Sequence, residues 1–147
     1  MPSGGKSRPA RRWGTFPTTA DVGVWARGPS ADALLEGLGI GLFSVMTDLR
    51  KVRPRVERTV RVTAEDPTRL VVAFLTELLV LQADDGFLVR DLAVCARETS
   101  PMSLVARARG EPFDPARHPM RAEVKAATFH ALVFDPAHHR ARVIVDI

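Results

Sequence analysis

The sequence predicts an α+β protein in which two helices pack on a largely antiparallel sheet, with elements in the order β-α-β-α-β-β-β-β. Two segments carry apolar residues at helical spacing, and the segments around them alternate apolar and polar residues as half-buried strands do. Paired strand segments separated by short turns fill the second half, which favours antiparallel hairpins. A chain of 147 residues is long enough to form one domain with its own core.

Caps and periodicity predict the elements of the first half. Residues 13–26 form an extended entry segment that ends in a strand. Ser30 is a favourable N-cap for a helix over about residues 31–47. Alternating valines predict a strand over residues 56–63, and an aspartate followed by a proline begins a second helix over residues 66–83. The three glycines inside the first helix weaken it, so either tertiary packing stabilises the helix or the glycines allow a close approach of another group.

The second half is predicted to contain two hairpins joined by a proline-rich loop over residues 110–120. The first hairpin pairs residues 87–96 with 102–109, and the second pairs residues 122–134 with 141–147. These strands follow the helices along the chain, which is the arrangement typical of an α+β fold.

The charges separate a basic N-terminal tail from a balanced domain. The chain has 21 Lys and Arg residues against 17 Asp and Glu residues, and four of the basic residues lie in residues 1–12, which contain no acids. The remainder therefore has 17 residues of each sign. We expect a disordered tail over residues 1–12 and a folded domain over residues 13–147. Such a tail is a solvated extension or a contact for RNA or a membrane surface.

Several classes of site are excluded. Cys95 is the single cysteine, so an intramolecular disulfide and cysteine-rich zinc sites are impossible, which fits a cytoplasmic protein. We expect Cys95 to be buried, because its neighbours are apolar. The four histidines lack the spacing of a transition-metal site, and no phosphate-binding loop or serine-nucleophile motif is present. No apolar run is long enough to cross a membrane.

Two aspartates at opposite ends of the chain form a candidate divalent-cation site. Asp21 lies in a Thr-Ala-Asp-Val-Gly segment, and Asp146 is followed by Ile147, whose α-carboxylate is a third anionic group. If the first and last strands pair, these oxygen donors meet, and crowded carboxylates favour a hard cation such as Ca²⁺, Mg²⁺ or Mn²⁺. The alternative is that Asp21 caps a turn and Asp146 is a solvated end, since strand pairing cannot be read from sequence.

Two basic features also have alternative interpretations. Lys125 follows Glu123 by two residues, so both side chains share one face of a strand. Lys125 therefore binds a phosphate or a partner carboxylate, or it forms a cross-strand ion pair. The basic run over residues 50–61 is either a docking face for a partner or a solvated edge, and it lacks an aromatic platform for stacking bases.

Several ordered blocks resemble the archease family over about residues 16–147. The blocks comprise residues 19–23, 42–49, 110–115 with His118, 123–130 and 142–147. Their number, their order and the position of the last block at the C-terminus make the resemblance specific. One position departs from the family pattern, because Thr18 stands where the family usually has a histidine. A threonine cannot act as an imidazole, so we expect weaker ion binding if that histidine orients Asp21.

The resemblance implies an activator of the GTP-dependent RNA-splicing ligase RtcB, not an enzyme that forms the bond itself. Such a protein promotes guanylylation and multiple turnover of the ligase in tRNA splicing and RNA repair, and meets RNA through the ligase. The resemblance also implies that Asp21, Asp146 and the carboxylate of Ile147 bind the metal and that Lys125 is needed for activation. The alternative is a stand-alone RNA-binding or chaperone-like module that uses the tail and residues 50–61.

Overall fold

In the computed structural model, which describes residues 12–147, two long helices pack on two antiparallel sheets. In chain order the elements are β1 (Trp13–Pro17), β2 (Val22–Arg27), α1 (Ala31–Met46), β3 (Val56–Ala64), α2 (Pro67–Asp85), β4 (Phe87–Thr99), β5 (Met102–Pro112), β6 (Ala126–Ala127), β7 (Val133–Asp135) and β8 (Arg140–Asp146). Short 3-10 helices occupy Leu49–Lys51 and Pro136–His138. The α+β class and the order of helices and strands are confirmed.

Three segments differ in detail from the expectation. The entry segment is itself a hairpin, in which β1 pairs with β2. The segment predicted as one strand over residues 122–134 contains two short strands, β6 and β7, and Ala131 between them has a left-handed backbone (φ 51°) that interrupts an extended chain. Strand β5 continues to Pro112, into the expected loop. Residues 1–11 of the expected tail lie outside the described residues.

Strand β8 is the centre of the first sheet. The sheet has the order β1-β2-β8-β6, and β7 also pairs with β8. The inward residues of the central pair are small and apolar: Val24 lies opposite Val143, and Ala26 lies opposite Ala141. A slip by one residue would turn these buried side chains toward solvent, so their alternation sets the register.

Helix α1 connects the first sheet to the second, which has the order β3-β5-β4. Its N-terminus is capped by Ser30, whose hydroxyl accepts a hydrogen bond from the Ala33 N–H at 3.1 Å. A Cβ atom at Gly39 would collide with Leu92 of β4, and one at Gly41 would collide with Val24 of β2. The glycines therefore let α1 approach both sheets closely, which was one of the two alternatives that the sequence left open. No helix among residues 12–147 has the length and apolar character needed to span a membrane.

The expectation that Cys95 is buried is wrong. Its side chain is exposed, and its thiol lies 3.4 Å from the Ala93 carbonyl. The register of β4 against β5 shifts between Val94 and Ala96, so Cys95 lies at a bulge near the distal end of a long strand. Apolar neighbours in the sequence do not bury a residue on a strand that extends beyond the core.

Candidate functional site

The pairing of β2 with β8 brings Asp21 and Asp146 to the same edge of the first sheet. The last registered pair of these strands is Val22 with Val145, so the next residues outward are Asp21 and Asp146. Opposite residues of an antiparallel pair lie about 5 Å apart between Cα atoms and project to the same face. Residues separated by more than a hundred positions in the sequence are thereby neighbours.

Both carboxylates lie on the outer face of the sheet. Val22 and Val145 belong to the inward set of alternating residues, so the adjacent aspartates point away from the core. Asp146 is exposed and Asp21 is partly exposed. Within residues 12–147, neither side-chain carboxylate accepts a hydrogen bond or forms an ion pair. The oxygens of both side chains are therefore accessible to a ligand.

Thr18, not Asp21, provides the side chain that closes the turn between β1 and β2. The Thr18 hydroxyl accepts a hydrogen bond from the Asp21 N–H at 3.0 Å, and the Thr18 N–H donates to the Asp21 carbonyl at 3.3 Å. The alternative in which the Asp21 carboxylate caps the turn is therefore not what the structure shows. Thr18 fixes the backbone of Asp21, and the Asp21 carboxylate makes no hydrogen bond within this turn.

Lys125 lies at the same edge as the two aspartates. Its N–H donates to the Asp146 carbonyl at 2.7 Å, and the next residue, Ala126, lies opposite Asp146 in the register of β6 with β8. The Lys125 side chain is exposed, and among the described residues it has no ion pair with Glu123 or with any other acid. The structure thus brings Asp21, Lys125 and the C-terminal residues Asp146 and Ile147 together.

The donor atoms at this edge suit a hard divalent cation. Carboxylate oxygens are preferred ligands of Ca²⁺ and Mg²⁺, and a site with few protein ligands leaves positions for water or for a phosphate. Among residues 12–147 no cluster of three or more His, Cys, Asp or Glu residues is arranged to hold a metal ion. The candidate site therefore depends on the α-carboxylate of Ile147 as its third anionic donor.

A buried polar network near the second sheet was missed by the sequence analysis. Glu111 at the end of β5 is only 2% exposed and accepts hydrogen bonds from the Arg53 N–H at 2.8 Å and from the Arg117 guanidinium at 2.9 Å. Burial alone would raise the pKa of Glu111, but the bonds from Arg117, Arg53 and His118 together outweigh it and lower the pKa to about 2. Glu111 is therefore ionised and joins three chain segments.

His118 is the fully buried member of this network. Its Nδ1 accepts a hydrogen bond from the Asp114 N–H at 2.9 Å, so Nε2 carries the proton and donates to Glu111 at 2.9 Å. The sequence placed His118 in a loop without a role. Its separation from Glu111 has no recognisable period, so only the fold could show the contact.

The basic run over residues 50–61 is partly neutralised by neighbouring acids. Arg50 donates two hydrogen bonds to Asp48, at 3.0 and 2.9 Å. These bonds, opposed by partial burial, lower the pKa of Asp48 to about 2. Arg55 makes a longer contact of 3.5 Å with Glu111. Part of this run therefore serves to hold the connector after α1, and it is not a uniform cationic surface.

Comparisons with known proteins agree on the family. A family model described as the archease protein family matches residues 13–147. The protein archease of Thermococcus gammatolerans is 42% identical over 121 residues, covering 82% of this chain and 85% of that one. That of Methanothermobacter thermautotrophicus is 35% identical over 135 residues, covering 90% and 96%. This chain belongs to the archease family.

The shared fold extends over almost the whole domain. The solution structure of Methanobacterium thermoautotrophicum protein 1598 is 34% identical to this archease-family chain and superimposes with a TM-score of 0.79. The match covers 92% of this chain and 99% of that structure. The resemblance found in the sequence blocks is thus confirmed in sequence and in fold.

The low pKa of Glu111 predicts a loss of stability in acid. A carboxylate normally titrates near about 4.3 when unfolded, so a lower folded value stabilises the fold above that pH. This contribution should be lost as the pH falls from about 5 to about 2. The free energy of unfolding of Glu111→Gln, measured in urea across this range, should therefore fall less steeply than that of the wild type.

Exposed Glu77 on α2 provides the matched control, because it has no hydrogen bond or ion pair among the described residues. Glu77→Gln should keep the acid dependence of the wild type. Equal slopes for Glu111→Gln and wild type would show that Glu111 does not couple folding to pH.

Proposed function

We propose that this chain activates a GTP-dependent RNA-splicing ligase of the RtcB type in tRNA splicing and RNA repair. It acts as a partner protein that promotes guanylylation of the ligase and its multiple turnover, and the ligase forms the RNA bond. Membership of the archease family supports the ligase partner. The observation that carries the proposal is the meeting of Asp21, Asp146 and Lys125 at one exposed edge of the first sheet.

Asp21, Asp146 and the α-carboxylate of Ile147 are proposed to hold a divalent cation, Ca²⁺, Mg²⁺ or Mn²⁺. Three neighbouring anionic groups repel one another, and the two side chains have no counter-charge bonded to them within residues 12–147. When bound, the cation relieves this repulsion and supplies positive charge that can stabilise phosphate groups. The backbone of Asp21 is fixed by Thr18, which limits the freedom that ion binding must remove.

Lys125 contributes a positive charge of its own at this edge. Its backbone is fixed by the bond to the Asp146 carbonyl, while its ammonium group is exposed. When the edge docks on the ligase, water is excluded and the ammonium interacts more strongly with nucleotide phosphates than it does in solvent. Lys125 would then stabilise negative charge during transfer of the guanylyl group.

The alternative account of activation is a shift of the ligase toward a conformation that is competent for guanylylation. A partner shifts a conformational equilibrium only by as much as it prefers one state over the other. In this account the edge binds the ligase more tightly when the ligase is competent for guanylylation. Release after guanylylation would let one molecule activate several ligase molecules in turn.

The direct test is guanylylation of the cognate ligase with labelled GTP and Mn²⁺ or Mg²⁺, with this protein at substoichiometric amounts. The wild type should stimulate the reaction, and Asp21→Asn and Asp146→Asn should each lose about 10-fold or more of the stimulation. Removal of a residue that only hydrogen-bonds to a metal ligand lowers metal affinity or activity by about 10-fold or more. Removal of a ligand itself should lower stimulation by at least as much. Both variants should unfold at the temperature of the wild type, because the changed side chains lie outside the core.

Asp84→Asn provides the control for this test, since Asp84 is an exposed acid at the end of α2. It should stimulate the ligase fully. Unchanged stimulation by Asp146→Asn would eliminate the metal site. Absence of stimulation by the wild type, with an otherwise active ligase, would eliminate the proposed function.

An extension at the C-terminus should abolish ion binding and reduce stimulation. Adding a Gly-Ser-Gly segment converts the Ile147 carboxylate into an amide, which removes one anionic donor and leaves both aspartates in place. Ion binding is measured by titration calorimetry. The same segment added before residue 1 is the matched control and should have no effect on ion affinity. Wild-type ion affinity in the C-terminally extended chain would exclude Ile147 as a ligand.

Lys125→Ala should separate activation from ion binding. The side chain is cationic and lies beside the proposed ligands without belonging to them, so its removal should reduce ligase stimulation more than it changes ion affinity. Lys51→Ala, at an exposed position in the basic run, is the control and should retain stimulation. A variant in which ion affinity falls while stimulation survives would make Lys125 a structural residue.

A further inference from the structure

The outer face of the first sheet carries a cluster of arginines around one tryptophan, at the end of β2 and β8 that lies away from the aspartates. In the register of these strands Trp25 lies opposite Arg142, and Arg27 lies opposite Arg140. The residues between them, Ala26 and Ala141, are buried, so all four side chains of the cluster project outward. We call Trp25, Arg27, Arg140 and Arg142 the basic face.

Direct opposition of Arg27 and Arg140 is unfavourable without a compensating anion. Like charges opposite one another in an antiparallel pair destabilise it. The carboxylate bonded here is Asp135, which lies 3.7 Å from Arg140 and is shared with His138 at 2.8 Å. Arg142 is bonded to a backbone carbonyl, which does not neutralise its charge, so this part of the described surface remains positively charged.

The tryptophan of the basic face is held as a fixed platform. Its ring lies so close to Gly14 of β1 that a Cβ atom there would be 2.7 Å from the indole. The guanidinium carbon of Arg27 lies 5.1 Å from the centre of the ring, at the distance of a cation–π contact. Aromatic rings and guanidinium planes are the two surfaces on which nucleic-acid bases stack in proteins.

The basic face also lines a concave surface. A cleft of about 410 Å³ lies between Val133 and the four residues of the basic face. A second cleft of about 710 Å³ shares Arg27 and Arg140 and continues toward Arg12 and His139. The two clefts share Arg27 and Arg140, and Trp25 lines the first, so arginine and an aromatic ring occur together at this surface, as they do in proteins that bind single-stranded nucleic acid.

The N-terminal basic segment joins the domain beside this groove. The Arg27 N–H donates to the Arg12 carbonyl at 2.9 Å, so the chain enters the fold next to the basic face. The residues before this point include three more basic residues, Lys6, Arg8 and Arg11, and no acids.

We propose that the basic face binds single-stranded RNA directly, with arginines on the phosphates and a base stacked on the Arg27 guanidinium, which itself lies over the Trp25 ring. Arg142 uses one N–H for the Ala131 carbonyl at 3.1 Å and has other donors left for a phosphate. Asp21 and Trp25 lie on one face of one strand, about 13 Å apart at the rise of a β-strand.

The proposal concerns RNA binding by this protein without a partner, so the test contains no ligase. The probe is a fluorescein-labelled single-stranded RNA of 12 nucleotides, followed by anisotropy at several salt concentrations. Arg27→Gln combined with Arg140→Gln should weaken binding and reduce the salt slope by about 1.4, at about 0.7 for each lost phosphate contact. Trp25→Ala should weaken binding about 5-fold or more, and Trp25→Phe should restore most of the affinity because it retains a stacking ring.

Arg61→Gln combined with Arg107→Gln is the matched control, because it removes two exposed arginines from the outer face of the second sheet. This variant should bind RNA as the wild type does. Equal loss in both double variants would show unspecific charge attraction and would overturn the proposal. Absence of RNA binding by the wild type would overturn it too, as would heparin or duplex RNA binding as tightly as the single strand.

Guanylylation of the ligase in the absence of RNA distinguishes this proposal from the proposed function. The Arg27 and Arg140 double variant should stimulate guanylylation as the wild type does while losing RNA binding. Loss of stimulation without loss of RNA binding would instead assign the basic face to ligase docking.

Discussion

The antiparallel pairing of β2 with β8 is the constraint on which the rest of the molecule depends. It connects the beginning and the end of the domain, and its inward alanines and valines provide one wall of the core. The same register decides what lies on the outer face. Asp21 and Asp146 meet at one end of the pair, and Arg27 and Arg140 meet at the other. A slip of one residue would bury charges and expose the core, so packing energy holds both arrangements in place.

The helices and the buried network around Glu111 keep this sheet in its position. The glycines of helix α1 lower its intrinsic helix propensity, but they allow the helix to pack closely against both sheets. On the second sheet, Glu111 holds the connector after α1 through Arg53 and the loop after β5 through His118 and Arg117. A buried, ionised carboxylate is stabilised by these donors together. A network that lacked one of them would leave part of the charge unsatisfied and would destabilise the fold.

Opposite charges are separated along one face of the first sheet. The edge with Asp21 and Asp146 is the proposed cation site and the basic face is the proposed phosphate-binding surface, with three residues between Asp21 and Trp25. In the proposed function a nucleotide, a metal ion and an RNA end meet on the ligase, so both kinds of charge would have a role there. The proposed roles of the two ends therefore fit one event on a ligase, although each is tested separately.

The sequence by itself determined the α+β class, both helices with their caps, the order of the elements and the family, because periodicity, capping and ordered blocks are local properties of the chain. It also singled out Asp21, Asp146 and Lys125 but left open whether they meet. Tertiary structure alone decided that β2 pairs with β8, that Thr18 closes the turn at Asp21, and that His118 bonds Glu111. The tertiary structure also leaves Cys95 exposed and brings the four residues of the basic face together. The strand pairing and the basic face depend on contacts between residues far apart in the sequence, which cooperative packing selects. The bonds of Thr18 and His118 join residues that are close in sequence, but the fold sets the orientation of these side chains, which local pattern does not encode.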